Sequence, residues 1–166
     1  MSYIEVLEQA RHDHPGNFVT GSDAEAAAIA RFRRFFSDFT PQKVETLLGE
    51  TYASALYFND TLKEIRDRET LRHYLKESAA AVESCTVAID DITRTEAGDY
   101  YFRWRMRIRF KRFARGRDTE SIGISHIRFN ADGGVVFHQD FWNAADGLFQ
   151  YVPVLGWMIR KIKQRL

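Results

Sequence analysis

The stretch that decides the fold is IGISHIRFNADGGVVFHQDFW, residues 122–142. Apolar and polar residues alternate on both sides of the polar, glycine-containing segment 130–134, a pattern typical of two antiparallel strands joined by a turn. In the second strand this alternation puts His138, Asp140 and Trp142 on one face. An imidazole, a carboxylate and an indole on one surface are typical of a binding pocket, so we expect a pocket beside this hairpin.

The strand before the hairpin, predicted over residues 100–113, has two chemically different faces. One face is aromatic and apolar and consists of Tyr100, Phe102, Trp104, Met106, Ile108 and Phe110. The other is basic and carries Arg103, Arg105, Arg107, Arg109 and Lys111. A basic face could bind phosphates. Because 23 Asp and Glu balance 24 Lys and Arg, pairing with carboxylates of neighbouring strands is favoured and we expect no nucleic-acid partner.

The first half of the chain is predicted to be mainly helical. One helix begins with the cap residues Ser22-Asp23 and carries an apolar face as far as Phe39. A second helix begins at Pro41 and is predicted to end at Gly49. A short aromatic strand covers 52–58, a third helix covers 67–81, and a further strand lies near 86–94.

This order of elements predicts an α+β fold in which a strongly curved antiparallel sheet wraps around about three helices. We divide the chain into an N-terminal lead at 1–21, a single domain at 22–146 and a C-terminal tail at 147–166. No repeat or linker divides the central part further. The length is sufficient for one domain to close a core without metal or disulfide support.

The composition favours a globular protein of a reducing compartment. Hydrophobic residues make up 45% of the chain and aromatic residues 14%, which is too apolar for a disordered protein. Cys85 is the one cysteine in the sequence, which excludes an intrachain disulfide and a cysteine-based zinc site. The first residues, MSYIEVLE, lack the basic and apolar regions of a signal peptide. We therefore expect a cytoplasmic protein.

Three features together resemble the nuclear-transport-factor-two-like superfamily. They are the order of the helices, the turn FNDTL at 58–62 before the third helix, and ISHIRF at 124–129 followed by a turn and Phe141-Trp142. The resemblance covers about residues 23–142 and is to the ketosteroid-isomerase and SnoaL-like polyketide-cyclase branches. It implies a cystatin-like cone, in which a bent sheet surrounds the helices and leaves a mostly apolar pocket at its open end.

The isomerase branch implies a role for Asp60. In that branch a carboxylate after the first strand moves a proton, while a tyrosine and a protonated aspartate stabilise the oxyanion. Asp60 matches the position of the carboxylate. Phe32 stands at the tyrosine position and Ser125 at the aspartate position, so the resemblance does not extend to steroid isomerisation.

The cyclase branch implies a role for Asp140, because that branch keeps its acid-base aspartate on the last strand. Trp142 matches an aromatic residue that walls the pocket in relatives. A carboxyl group in a desolvated site gains proton affinity and can act as an acid or a base, and His138 could orient it. Other roles stay open: Asp140 could pair with an arginine, His138 could be a core histidine, and Asp60 could cap a turn.

From these residues and this resemblance we predict a pocket for a small hydrophobic ligand and proton-transfer chemistry such as isomerisation, cyclisation or dehydration. Its catalytic candidates are Asp140, His138 and Asp60. Its ligand-binding candidates are Phe32, Tyr57, Trp104, Ser125, Ile127 and Trp142. We expect no cofactor and no metal, because alternation puts His126 on the face opposite Ser125 and so separates it from the other candidate ligands.

The alternative prediction is a non-catalytic dimerisation or partner-binding module, and the resemblance implies a homodimer through the outer face of the sheet. The tail offers a further surface. Leu155, Ile159, Ile162 and Leu166 share one helical face, opposite Arg160, Lys161, Lys163 and Arg165. Together with Trp157, such a helix could rest weakly on an anionic membrane. Packing over the pocket or against a second subunit stays equally open, and basic residues also complement a helix C-terminus.

Overall fold

Four helices and six strands make up the described part of the chain. The computed structural model describes residues 2–16, 18–112, 116–144 and the single positions 149, 157, 158, 161, 162 and 164. In chain order the elements are α1 (Tyr3–Asp13), α2 (Asp23–Phe36), α3 (Pro41–Thr51), β1 (Tyr52–Asn59), β2 (Glu64–Asp67), α4 (Arg68–Ala80), β3 (Val82–Arg94), β4 (Tyr100–Phe110), β5 (Asp118–Phe129) and β6 (Val135–Trp142).

The three predicted helices begin at polar caps. The Ser22 hydroxyl caps α2 and the Thr40 hydroxyl caps α3, while Asp67 accepts a hydrogen bond of 2.8 Å from the Thr70 backbone at the start of α4. The prediction that α3 ends at Gly49 was wrong, because the helix continues to Thr51. A glycine inside a helix costs about 1 kcal/mol, which the packing of the buried α3 residues offsets.

The six strands form one open, curved, mixed sheet in the order β2-β1-β6-β5-β4-β3. The pairs β3–β4, β4–β5 and β5–β6 are antiparallel, as the sequence predicts. In contrast, β1 lies parallel to β6. The alternation of side chains is the same in both kinds of pair, so the sequence pattern does not distinguish them. The short strand β2, which was not predicted, extends the edge beside β1.

Helices α2, α3 and α4 cover the inner face of the sheet and enclose the main core. The predicted aromatic face of β4 is confirmed, because Tyr100, Phe102 and Trp104 are buried. Phe32 and Phe35 of α2 belong to the same core cluster as Phe102. The ring centroids of Phe32 and Phe102 lie 4.6 Å apart. This packing fixes α2 against the middle of the sheet, where the site described below is located.

The outer face of β4 carries the predicted row of arginines, and these pair with carboxylates of the neighbouring strands. Arg105 donates two hydrogen bonds of 2.8 Å to Asp90 of β3. On the other side, Arg107 lies 2.7 Å from Glu120, and Arg109 lies 2.8 Å from Asp118. The expectation that carboxylates of adjacent strands pair with the basic face is therefore confirmed.

Helix α1 forms within the predicted lead and packs on the outer face of the sheet. Ser2 and Glu5 form a capping box at its start, a sequence signal for a helix that our prediction did not use. Val6 and Leu7 pack against Tyr57 and Phe137. The lead is thus attached to the sheet on the face opposite the three core helices.

A buried ionic cluster anchors the end of α1. Asp99, which has no exposed surface, accepts hydrogen bonds from Arg11 of α1 and from Arg128 of β5. His126 Nε2 lies 3.4 Å from the same carboxylate without hydrogen-bond geometry. Burial alone would raise the pKa of Asp99, but the neighbouring His126, Arg11 and Arg128 outweigh it and hold that pKa at about 2.

Most of the tail lies outside the described residues. This applies to the predicted apolar positions Leu155, Ile159 and Leu166 and to the basic positions Arg160, Lys163 and Arg165. At the described positions, Lys161 Nζ lies 4.8 Å from the centroid of the Trp157 ring. Among the helices that the structure describes, none has the length and apolar content needed to cross a bilayer. Membrane contact by the tail stays a prediction.

Candidate functional site

An apolar cavity of about 290 Å³ lies between the inner face of the sheet and helices α2 and α4. Its volume lies near the lower end of the range typical of small-molecule pockets. Aromatic side chains from both layers form much of its wall: Phe32, Phe36, Phe39, Phe58, Tyr74, Trp104, Phe110 and Trp142. Polar groups enter this wall at a few positions, and these include the predicted catalytic candidates.

Seven of the nine predicted site residues line this cavity: Phe32, Asp60, Trp104, Ser125, His138, Asp140 and Trp142. Tyr57 and Ile127 do not. Tyr57 lies on the outer face, with its ring 5.0 Å from that of Phe137, because an irregularity in β1 between Tyr52 and Tyr57 leaves Phe58 on the cavity side. Ile127 is fully buried in the core cluster beyond the cavity.

Asp140 is held in place through one of its two carboxylate oxygens. Ser125 Oγ donates to Asp140 Oδ1 at 2.5 Å, and His138 Nε2 lies 2.8 Å from the same oxygen. Trp104 Nε1 in turn donates to Ser125 Oγ at 2.9 Å, so the serine hydrogen is directed to the carboxylate. Within the described residues, Asp140 Oδ2 has no hydrogen-bond partner. This oxygen is therefore available to a molecule in the cavity.

Tyr52 determines which nitrogen of His138 carries the hydrogen. Its Oη lies 2.7 Å from His138 Nδ1, and both residues are 1% exposed. Burial, together with the charges of Asp140 and Asp60, raises the pKa of Tyr52 well above its usual value, so the phenol keeps its proton. Because a buried hydroxyl needs an acceptor, Tyr52 donates to Nδ1. The imidazole hydrogen then resides on Nε2 and points to Asp140.

Asp60 is engaged at both oxygens by groups of the same wall. Its Oδ1 accepts from the backbone N–H groups of Leu62 and Lys63 at 3.0 and 2.9 Å, and its Oδ2 accepts from Tyr74 Oη at 2.5 Å. The intervening Thr61 has a φ of 74°, which is unusual for a β-branched residue. Asp60 therefore caps this turn, the alternative that the sequence left open, and also contributes charge to the cavity wall.

Gly123 provides the space that Trp104 needs. The two residues pair across β4 and β5, and a side-chain carbon at residue 123 would lie less than 3.0 Å from the Trp104 ring and from Cβ of Trp142. The absent side chain lets the indole of Trp104 lie across β5 and reach Ser125. Gly123 is thus part of the support for Asp140 although it makes no polar contact with it.

The two histidines of the hairpin lie on opposite faces of the sheet. His126 Nδ1 lies 2.6 Å from Tyr3 Oη on the outer face, whereas His138 faces the cavity. Across the residues that the structure describes, no three His, Cys, Asp or Glu side chains are grouped in a way that could hold a metal ion. The polar side chains that line the cavity include carboxylate, imidazole, hydroxyl and indole groups.

The lining and supporting residues that were not among the predicted site residues include Tyr52, Phe58, Tyr74 and Cys85. Tyr74 had a recognisable signal, since the sequence places this phenol on the inward face of α4. Tyr52 had none, because its contact depends on the parallel pairing of β1 with β6. Burial and the hydrogen bond to Asp60 raise the pKa of Tyr74, so that hydroxyl is also protonated at neutral pH.

Comparisons with known proteins agree with this architecture. The family model of the SnoaL-like domain matches residues 32–138. No curated protein matches the chain significantly. A hypothetical protein with a ketosteroid isomerase-like fold from Catenulispora acidiphila, solved in complex with trimethylamine, is similar with a TM-score of 0.64 and 14% identity, over 78% of this chain and 95% of its own.

Two further solved structures are similar at comparable levels. An LEH-like epoxide hydrolase from Mycobacterium tuberculosis has a TM-score of 0.58 and 12% identity, covering 81% of this chain and 94% of its own. A nuclear-transport-factor-two-like protein of unknown function from an Exiguobacterium species has a TM-score of 0.59 and 16% identity, covering 70% and 98%. At these identities the likeness establishes the fold alone.

Proposed function

The chain belongs to the SnoaL-like domain family, and on this premise we propose that its cavity binds a small apolar carbonyl compound and catalyses a proton transfer on it. The observation that carries the proposal is the state of Asp140. Two donors hold Oδ1, Oδ2 has no hydrogen-bond partner among the described residues, and Asp140 lines an apolar cavity. A positioned carboxylate in a partly desolvated wall is the arrangement that general acid-base catalysis requires.

In the proposed step, the Asp140 carboxylate removes a proton from a carbon atom next to the carbonyl group of the ligand. The electron pair of the broken C–H bond moves into an enolate, and the carboxyl group then returns the proton to the same or another carbon. The Tyr74 hydroxyl is the donor that we assign to the enolate oxygen, since it is protonated and lies in the cavity wall, and in this step it exchanges its hydrogen bond to Asp60 for one to the enolate. His138 holds Asp140 and exchanges no proton.

Exchange of carbon-bound hydrogen with solvent tests this reaction class without knowledge of the natural ligand. We expect the protein to accelerate deuterium incorporation into small cyclic ketones in D2O, followed by proton NMR. Asp140→Asn should lower the enzymatic rate by about 100-fold or more, the usual contribution of a general base. Asp90→Asn is the matched control, because Asp90 lies on the outer face beside Arg105. Equal rates for wild type and Asp140→Asn would refute the assignment.

A second candidate function, self-association, is favoured by an exposed apolar patch on the outer face. Ile122, Ile124 and Phe141 are 66%, 40% and 48% exposed, and Ile124 lies directly opposite Phe141 in the sheet. Exposed apolar groups that are contiguous are typical of interaction surfaces. The flanking charges of Arg105 and Arg107 are already paired within the chain, which removes the like-charge repulsion that would oppose a symmetric pair of copies.

Analytical ultracentrifugation tests this second candidate. We expect a homodimer for the wild type and a monomer for Phe141→Lys, because a buried unpaired charge at the centre of an interface is costly. Val19→Lys is the control, since Val19 is 77% exposed and belongs to a different part of the surface. A wild-type chain that stays monomeric at high concentration would exclude the dimer.

A further inference from the structure

The charges of the cavity wall are unbalanced. Asp60 and Asp140 are both among its lining residues, and no Lys or Arg is found among the lining residues that the structure describes. The donors on these carboxylates are hydroxyl groups, backbone N–H groups and the Nε2–H of His138. Hydroxyl and backbone N–H donors stabilise an anion without cancelling its charge.

Elsewhere in this chain, shielded carboxylates are paired with arginine. Asp99 is paired with Arg11 and Arg128, Glu25 with Arg94, and Asp90 with Arg105. Asp140 is as shielded as Asp90, with side-chain exposures of 16% and 18%. Asp140 nevertheless has no Arg or Lys partner among the described residues. The part of the chain that the structure describes therefore supplies no Lys or Arg side chain to compensate this partly buried negative charge.

The remaining wall is suited to a cation. Aromatic faces attract organic cations through their ring electrons, and tryptophan does so most strongly. Trp104 and Trp142 lie on the sheet side of the cavity, and Phe36, Phe58 and Tyr74 contribute further rings. Lys63 Nζ already lies 5.4 Å from the centroid of the Tyr74 ring, although Lys63 is not a lining residue. An aromatic wall that also carries carboxylates binds a positive group better than a neutral one of the same shape.

We propose that the ligand of this cavity is an organic cation, an apolar molecule that carries a protonated or quaternary amine, bound between the aromatic wall and the carboxylates of Asp60 and Asp140. This inference rests on the proposed function: the ligand is the carbonyl compound described there, and it carries a cationic group in addition. The apolar body of the ligand fills the part of the cavity lined by α4 and β3. Its amine lies against the aromatic wall beside Asp60, so that the free oxygen of Asp140 stays open to the carbon-bound hydrogen of the same ligand.

A pair of probes that differ in charge but not in shape tests this proposal. Phenyltrimethylammonium and its neutral carbon isostere tert-butylbenzene are titrated into the full chain, and binding is followed through the indole N–H signals of Trp104 and Trp142. We expect the cation to bind at least tenfold more tightly. Asp140→Asn and Asp60→Asn should each weaken cation binding at least fivefold and leave the neutral probe unchanged. Asp90→Asn, the control on the outer face, should change neither.

Thermal unfolding shows whether Asp140→Asn or Asp60→Asn folds poorly. If one of them does, the other still tests the proposal. Equal or tighter binding of the neutral probe, or no binding of either, would overturn the proposal. Its failure is distinguishable from failure of the proton-transfer function. If ketone exchange depends on Asp140 but the cation binds no more tightly than the neutral probe, the cation proposal alone is refuted. If the cation binds more tightly but no ketone exchange is seen, the proton-transfer function alone is refuted.

Discussion

The hydroxyl of Tyr52 donates to Nδ1 of His138 across 2.7 Å, and the imidazole passes this constraint to Asp140 through Nε2. Both ring nitrogens of His138 therefore already take part in hydrogen bonds. A base needs a free lone pair directed at the substrate, which His138 does not offer. We therefore propose a positioning role for the histidine, with Asp140 as the group that meets a ligand.

Tyr52→Phe should remove the constraint on the imidazole. The buried Nδ1 loses its donor, which costs about 1–3 kcal/mol of folding stability, and the ring hydrogen becomes free to occupy Nδ1. Long-range ¹H–¹⁵N NMR reports the tautomer, and urea unfolding reports the stability. Tyr57→Phe is the control, because Tyr57 Oη bonds to Gln139 on the other face of the sheet. An unchanged His138 tautomer in Tyr52→Phe would show that the phenol does not set it.

Acid should weaken the fold through Asp99. Its pKa of about 2 in the folded protein lies below the ordinary value near 3.8, so its ionised form stabilises the folded state above pH 4. That contribution, about 2 kcal/mol, is lost as the pH falls from about 4 towards 2. Urea unfolding at pH 7, 4 and 2.5 measures it.

Asp99→Asn should lower the free energy of unfolding at pH 7 by about 3–5 kcal/mol, because Arg128 remains buried without its counter-charge. The variant should also lose less stability than the wild type between pH 4 and 2.5. Asp118→Asn, at an exposed ion pair, serves as the control and should change stability by less than about 1 kcal/mol. A pH profile identical to that of the wild type would rule out this role for Asp99.

Gly123→Ala should disturb the site without changing a polar group. The added methyl group displaces the Trp104 ring from Ser125, which costs about 1–3 kcal/mol of stability and loosens Asp140. We expect a shift in tryptophan fluorescence and at least tenfold weaker binding of any cavity ligand. Gly49→Ala is the matched control, since no atom lies near that position. If Gly123→Ala and Gly49→Ala bind a cavity ligand equally well, the space at residue 123 is not needed to position Trp104.

Cys85 should report whether the cavity is filled. Burial raises the pKa of this thiol to about 12, so at pH 8 about one thiol in 10,000 is ionised. Labelling by Ellman's reagent should therefore be at least 100-fold slower in the folded chain than in urea. A bound ligand should slow it further, because Cys85 lines the cavity. Rapid labelling of the folded protein, unaffected by ligand, would contradict this arrangement.

The sequence predicted those features that depend on local chemistry. The Ser22-Asp23 cap and Pro41 located the starts of two helices, and alternation identified the inward face of β4 and of the final hairpin. These signals are local because capping and strand alternation involve residues within a few positions of one another. Most of the cavity wall, including Asp140 and His138, followed from them.

Features that depend on distant contacts could not be predicted in this way. An irregularity in β1 turned Tyr57 to the outer face and Phe58 to the cavity, and no local pattern marks such a shift. The parallel pairing of β1 and β6 brings Tyr52 to His138 from 86 residues away. The bend that the cavity requires likewise arises from the whole sheet and not from any single strand.

The position of β6 has a consequence for how the chain reaches this state. It is the last of the six strands that the structure describes, yet it lies between β1 and β5. Until residues 135–142 have been synthesised, β1 and β5 lack the strand that joins them in the sheet. Addition of β6 joins them and brings Asp140 to the cavity in the same event. Assembly of the domain and acquisition of its chemistry should consequently be a single, slow, cooperative step.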